Sequence, residues 1–299
     1  MRVTQMEINR NLFNDLEKLN RTFADVNRQL TSTKKLNSLS DSPLGSAYLV
    51  DITEQALRLD AYRFNITNSA YQLRSAEAAL NAVNNVFVSI HTLGMQAANE
   101  TLSTDSRKAI LKEIEILRDE LISRGNSQVD GRFIFAGTAV GDKPFDEDPP
   151  GSGMVKYVGN NEDHLVPIGD GVEVVAGVSG EKALGAVFKV VNELIDAMKT
   201  AIANENASGI GESLAGYGDA LTQLGQSRGQ VGVSLSVVDR MSEMIGARNI
   251  VLREQKSNIE DANILEVATR LGELQLALNA AMSAGSVILG QRNLFDAIG

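Results

Sequence analysis

The sequence predicts a mainly α protein with long antiparallel helical rods, a coiled coil built from the two chain termini, and a small β-rich insertion. Three observations carry that prediction. Apolar residues recur at steps of three and four at both ends of the chain, and at steps of seven along two long central arms. This spacing lays a seam along one side of a helix for packing against another. Hydrophobic residues make up 43% of the chain but aromatics only 5%, with no tryptophan and five prolines, the balance of long helices with aliphatic seams. Beyond Asp130-Gly131 the period drops from helical to two, the mark of short strands.

Each element follows from its residues. Leu12, Leu16, Leu19, Phe23, Val26 and Leu30 place a helix over about 6–30. A polar segment rich in turn formers ends it, and Ser42 then reads as the N-cap of a second helix with Pro43 in the favoured first-turn position. Ile52, Leu59, Ile66, Leu73, Leu80 and Phe87 stand seven apart in that helix. Run to about residue 100 it is roughly 80 Å long at 1.5 Å per residue, a rod and not an element of one compact core. Ile110, Ile114, Leu117 and Leu121 mark a third helix, with Gly125 placed as the left-handed residue past its end.

Strands are expected at 133–135, 155–158, 165–168 and 172–175, with a turn across Asp146-Glu147-Asp148-Pro149-Pro150-Gly151. Helix returns with Phe188, Val191, Leu194, Ile195 and Met198. Tyr217, Leu224, Val231, Val238, Ile245, Leu252 and Ile259, again seven apart, form the returning arm, and such a repeat implies a left-handed supercoil. Ile264, Val267, Leu271, Leu274, Leu278, Ala281 and Ile288 give the last helix its seam. The expected division is terminal coiled-coil helices over 1–43 and 260–299, a helical rod over 44–130 and 184–259, and an outer β-rich insertion over 131–183. The two terminal seams lack a partner unless they meet each other or another molecule. Short isolated helices are marginal in water, so these ends are expected to gain order by docking.

Composition narrows the function. The net charge is -10, from 38 acidic and 28 basic residues, so nucleic acid and anionic membrane are not expected partners. There is no cysteine, which removes disulfides and thiolate chemistry. The opening residues carry no apolar leader core, so any export is expected to proceed without a cleaved signal peptide. No catalytic, cofactor-binding or metal-binding residue is assigned. His91 and His164, the two histidines, lie on different elements. The acidic run 142–148 lacks the glycine and terminal glutamate of a calcium loop, and the glycines at 209, 211, 216 and 218 miss the phosphate-loop spacing. Arg63, Glu77, Asn84, Arg228 and Asn249 interrupt the apolar columns and could fix register or snorkel to water.

The order of motifs adds a resemblance. Leu30-Thr31-Ser32-Thr33-Lys34-Lys35-Leu36-Asn37 with Ser40-Asp41-Ser42-Pro43, then Asp130-Gly131-Arg132-Phe133-Ile134-Phe135-Ala136-Gly137-Thr138, resembles the flagellin family. Pro144-Phe145, Val155-Lys156-Tyr157-Val158-Gly159-Asn160 and Asn293-Leu294-Phe295-Asp296 extend the likeness over nearly the whole chain. The start Met1-Arg2-Val3-Thr4 and the short insertion are more like the family's hook–filament junction proteins than its filament subunits. The chain departs from the usual Asp-Asp-Pro at Asp41-Ser42-Pro43, and it ends on an atypical Ala297-Ile298-Gly299.

The resemblance implies a non-enzymatic, extracellular structural subunit of the bacterial flagellum, exported unfolded by the flagellar type III apparatus. Its implied partners are identical subunits in a ring, the first hook-associated protein, filament flagellin and a cytosolic export chaperone on the C-terminal helix. Self-assembly is expected to run through Leu12, Leu16, Leu19, Phe23, Val26, Leu30, Ile264, Val267, Leu271, Leu274, Leu278 and Ile288. A filament flagellin shares the fold, and an enzyme would need a convergent polar site that the sequence does not offer.

Overall fold

Helix α1 (Arg2–Ser32) is followed by α2 (Pro43–Ala97), and α2 begins where Ser42 and Pro43 place it. The Ser42 hydroxyl accepts the Gly45 N–H at 3.1 Å, satisfying a donor that the helix cannot. The remaining helices are α3 (Thr104–Gly125), α4 (Gly180–Ala203), the single turn α5 (Ile210–Ser213), α6 (Tyr217–Glu260) and α7 (Ile264–Asp296). Among the described residues, six short strands lie between α3 and α4: β1 (Gln128–Val129), β2 (Arg132–Phe133), β3 (Phe145–Glu147), β4 (Val155–Tyr157), β5 (Leu165–Gly169) and β6 (Val172–Val175). The computed structural model describes residues 2–147 and 153–296, with the side chains of residue 7, residues 10–147 and residues 153–286. The mainly α class with a small β insertion is borne out. Contacts divide the chain into two units, Met1–Arg58 with Ala247–Gly299, and Leu59–Gly246.

The Leu59–Gly246 unit holds a continuous aliphatic core. The expected seven-residue columns are its spine: Ile66, Leu73, Leu80 and Phe87 of α2 and Leu224, Val231 and Val238 of α6 are all buried. Ile110, Ile114 and Leu121 of α3 and Leu184, Val191, Leu194 and Met198 of α4 join the same cluster. Ser103 caps α3, its hydroxyl accepting the Ser106 N–H at 3.2 Å. The turn between α2 and α3 closes on Arg107, which is 4% exposed. Its Nε donates to the Ala97 carbonyl at 3.2 Å and its Nη2 to the Asn99 carbonyl at 3.0 Å, so a buried cation ends the helix by taking its orphan carbonyls.

The strands make three separate antiparallel hairpins and no larger sheet among the described residues. Asp130 and Gly131 both have positive φ, 50° and 76°, the two-residue turn whose twist matches flanking strands; it joins β1 to β2. The β5–β6 hairpin is held to α2, where Asn65 Nδ2 donates to the Pro167 carbonyl at 2.8 Å and the Tyr62 hydroxyl to Asp170 at 2.9 Å.

The β3–β4 hairpin overturns two sequence expectations. Residues 145–147 form a strand, where a turn is expected to begin at Asp146. Gly125 is the last helical residue of α3 and lacks a positive φ, so it is not a left-handed cap. Both differences trace to one packing event. The Asn126 side chain pairs with the backbone of Phe145, Nδ2 to its carbonyl at 2.8 Å and Oδ1 from its N–H at 3.0 Å. Asn192 pairs with Val155 in the same way, at 3.0 and 3.1 Å. Each amide thus stands in for a neighbouring strand, and a hairpin too short to hold alone is fastened at both edges. The Phe145 ring then lies so close to Gly125 that a Cβ there would meet it at 2.7 Å. Gly125 is required by the space that Phe145 fills.

Candidate assembly surface

The terminal seams lie in the Met1–Arg58 and Ala247–Gly299 unit, where α1 packs against α7. Val26 and Val267 are buried, at 5% and 8% exposed. Leu12, Leu16, Leu19, Phe23 and Leu30 on α1, and Leu271, Leu274 and Leu278 on α7, are only half-buried. Ile264, the first residue of α7, is 54% exposed. Ile288 lies outside the residues whose side chains are described. Each seam therefore covers the other in part, and neither is sealed. Phe13, Leu265, Leu276 and Met282 are exposed around the same two helices.

Two linkers close this unit. Between α1 and α2, residues 33–42 fold around Asp41, whose carboxylate accepts the Asn37 N–H at 2.9 Å, the Ser38 N–H at 2.8 Å and the Ser38 hydroxyl at 2.9 Å. Those bonds, led by Asn37, hold the Asp41 carboxyl below its ordinary value, because each favours the charged form. The other linker, residues 261–263, joins α6 to α7. The two are clasped together: Lys34 and Asp261 form an isolated antiparallel bridge, Lys35 N–H donates to the Glu260 carbonyl at 2.7 Å, and Ala262 N–H donates to the Thr33 carbonyl at 3.0 Å. The Lys34 ammonium also pairs with the Glu260 carboxylate, which Lys256 reaches at 3.8 Å. The hydrogen bond and charge of Glu260 raise the Lys34 pKa above its ordinary value.

Neither Asp41 nor the Lys34–Glu260 pair stands out in the sequence. The second joins residues 226 positions apart, which no local pattern encodes. Asp41 lies in a segment readable as turn-forming, and the spacing Asn37-Ser38 to Asp41 is the only signal of its role.

The arrangement is suited to packing. No group of three or more metal-ligating side chains occurs among the described residues. His91 stacks on Tyr217 with ring centroids 3.8 Å apart, and His164 is exposed. A cavity of about 290 Å³ lies against α4 and the β3–β4 hairpin, lined by Phe145, Val155, Tyr157, Glu181, Phe188 and Asn192 among others. Its hydrogen-bonding Asn192 is already engaged by the hairpin backbone. No helix among the described residues is long and apolar enough to cross a membrane. Of the column-interrupting residues, Arg63 is exposed, and Glu77, Asn84, Arg228 and Asn249 are half-buried.

Residues 4–140 match the bacterial flagellin N-terminal helical region. The chain is 25% identical over 197 residues to flagellar hook-associated protein 3 of Escherichia coli, a match covering 60% of this chain and 61% of that protein. It is 22% identical over 280 residues to the protein of the same name from Salmonella typhimurium, covering 86% and 87%. In three dimensions it is similar to a flagellar hook-associated protein of Vibrio parahaemolyticus, with a TM-score of 0.66 and 23% identity over 74% of this chain and 100% of that one. This last likeness is one of fold.

Proposed function

We propose that the chain is a member of the flagellin family, to which its matches point, and a structural subunit of the bacterial flagellum, joining the hook, through the first hook-associated protein, to the flagellin filament. The unfinished seam carries this reading. Ten of the twelve expected assembly residues lie on the paired faces of α1 and α7, yet only Val26 and Val267 among them are buried. From Leu274 to Gln291 the chain has no charged residue, and a helix apolar around most of its circumference belongs in an interior. One partner helix does not provide that interior. Copies of the same chain do, if head-to-tail contacts close them into a ring.

The remaining partners follow from the same surface. Before assembly, the apolar faces of α7 suit a cytosolic export chaperone that binds an amphipathic helix in a groove. Export through the flagellar type III channel then delivers the subunit outside the cell, and neither step calls for catalysis or a cofactor. Deleting the gene in its own host tests the reading. Hooks should remain, filaments should be absent, and unpolymerised flagellin should collect in the medium; filaments still attached to hooks would overturn it. A chain truncated after residue 263 should be inert in the same assay, and normal assembly by that chain would remove α7 from the mechanism.

A further inference from the structure

An aliphatic seam holds two helices together without stating how far along each other they sit. On α1, Leu12, Leu19 and Val26 form one seven-residue column, and Leu16, Phe23 and Leu30 the other. On α7, Leu271 and Leu278 continue one column, and Val267, Leu274 and Ala281 the other. A slide of seven residues, about 10 Å along the axis, therefore sets like against like over most of the contact. A polar residue within a seam can forbid such a slide. Here none does: among the described residues no hydrogen bond or ion pair joins α1 to α7, and those that α1 and α7 do make stay within one helix or reach an adjacent linker residue.

The chain connections restrain the two helices unequally. The linker to α7 is three residues long (261–263) and reaches roughly 10 Å when fully extended. That from α1 to α2 is ten residues long (33–42) and reaches roughly three times as far. Thus α1 is the helix with enough slack to slide. Yet its position is defined at both ends of the pair. Thr33, Lys34 and Lys35 face Ala262, Asp261 and Glu260, and Leu12 Cδ2 lies 3.5 Å from where a Cβ on Gly285 would stand.

We infer that the clasp between the two linkers sets the axial register of α1 on α7, with Lys34 and Glu260 as its positioning residues. The backbone bonds of Lys35 and Ala262 take up the slack of the longer linker at its α1 end. The Lys34–Glu260 pair adds a charge that accepts one alignment. By fixing the register, the clasp also fixes which half-exposed side chains a neighbouring subunit meets; this last step alone rests on the assembly reading.

The absence of native cysteine makes the test direct. In the monomer, L12C with G285C should oxidise to a disulfide. L12C with L278C, displaced by about two helical turns, should not, because a disulfide needs Cα atoms within about 7 Å. K34E, which sets a carboxylate against Glu260, and K35P, which deletes the donor to its carbonyl, should each raise the second product at least about tenfold relative to the first. K34R should leave the ratio unchanged. Far-UV circular dichroism confirms that each variant keeps its helices. If only the 12–285 disulfide forms in both K34E and K35P, the register is set elsewhere and the inference falls. It falls equally if both disulfides vanish while helicity stays, since the clasp would then hold the helices together without aligning them. Because these readouts come from the monomer, their failure is separate from that of the flagellar reading, which the gene deletion tests.

Discussion

Leu80 and Leu16 occupy the same kind of position, an aliphatic column on a long helix, and meet different fates. Leu80 is 0% exposed and joins a core that also contains α3 and α4. Leu16 is half-buried, in a unit where α1 and α7 cover each other only in part. The residue code is the same and what differs is the number of neighbours. In the Leu59–Gly246 unit, α3, α4 and the hairpins supply the further sides that a two-helix contact leaves open. Among the described residues, α1 and α7 leave most of the terminal seam only half-buried. An aliphatic heptad therefore states that a face is for packing, and leaves open whether the chain itself completes the packing.

Truncating the two leucines separates these cases. Leu80→Ala should cost about 2–5 kcal/mol, the loss expected when a fully buried side chain leaves a cavity, read as a drop in the denaturation midpoint of the monomer. Leu16→Ala should cost less than about half of that while reducing assembly in the cell. Equal losses in the monomer would mean that the terminal seam is already as complete as the core, and the contrast would collapse.

A smaller effect sharpens the picture of the closed unit. A Cβ at Gly180 would meet Phe145 Cζ and Tyr157 Cε2 at 2.7 Å and the Phe135 carbonyl oxygen at 2.8 Å. Gly180→Ala should destabilise by about 1–3 kcal/mol, the usual cost of overpacking. At Gly229 on α6 nothing lies within 4 Å, so Gly229→Ala should stabilise the monomer by up to about 1 kcal/mol through helix propensity alone. Calorimetry on the two variants decides: a shift of the same sign in both would refute the packing account. Arg107→Met belongs to the same range. It strips three carbonyls at the α2–α3 turn of a buried donor and should cost about 1–3 kcal/mol, with faster proteolysis near residues 98–103. Unchanged cleavage there would show that the turn closes without the arginine.

Much of this architecture is legible in the sequence. The seven-residue columns mark the long helices, Ser42-Pro43 the start of α2, and Asp130-Gly131 the change from helix to strand, because each signal is local; the strand Gln128–Val129 ahead of that turn carries no such mark. The β3–β4 hairpin was less legible for the opposite reason. Its strands are held by Asn126 and Asn192, whose amides imitate a backbone only once folding has brought them alongside Phe145 and Val155. Helix α3 does end at Gly125, but without the left-handed conformation expected there; the glycine is needed for a ring that lies on a different element. The candidate surface divides in the same way. Its seams were written in periodicity, whereas its clasp depends on Lys34 meeting Glu260, a pairing made only by the return of α6.

The smallest expected effect concerns the linker. Asp41 accepts its three bonds as a carboxylate, and its folded pKa lies below the ordinary 3.8. A depressed carboxyl stabilises the fold above its unfolded pKa, and that contribution is lost as the pH falls through the folded value. Lys34 has the opposite sign: its pKa is raised above 10.5, so its contribution is full below that value and lost as the pH climbs through the folded one. The linker should therefore be insensitive to pH between these limits and loosen at each extreme. The Asn37 and Ser38 amide resonances report the acid limb, since both N–H groups donate to Asp41. They should move together, at a pH below 3.8, and in Asp41→Asn they should not titrate at all. An identical acid transition in that variant would assign the loosening to another carboxylate. The linker would then be held by its backbone turns, as the seams are held by their leucines, with no charge deciding its shape.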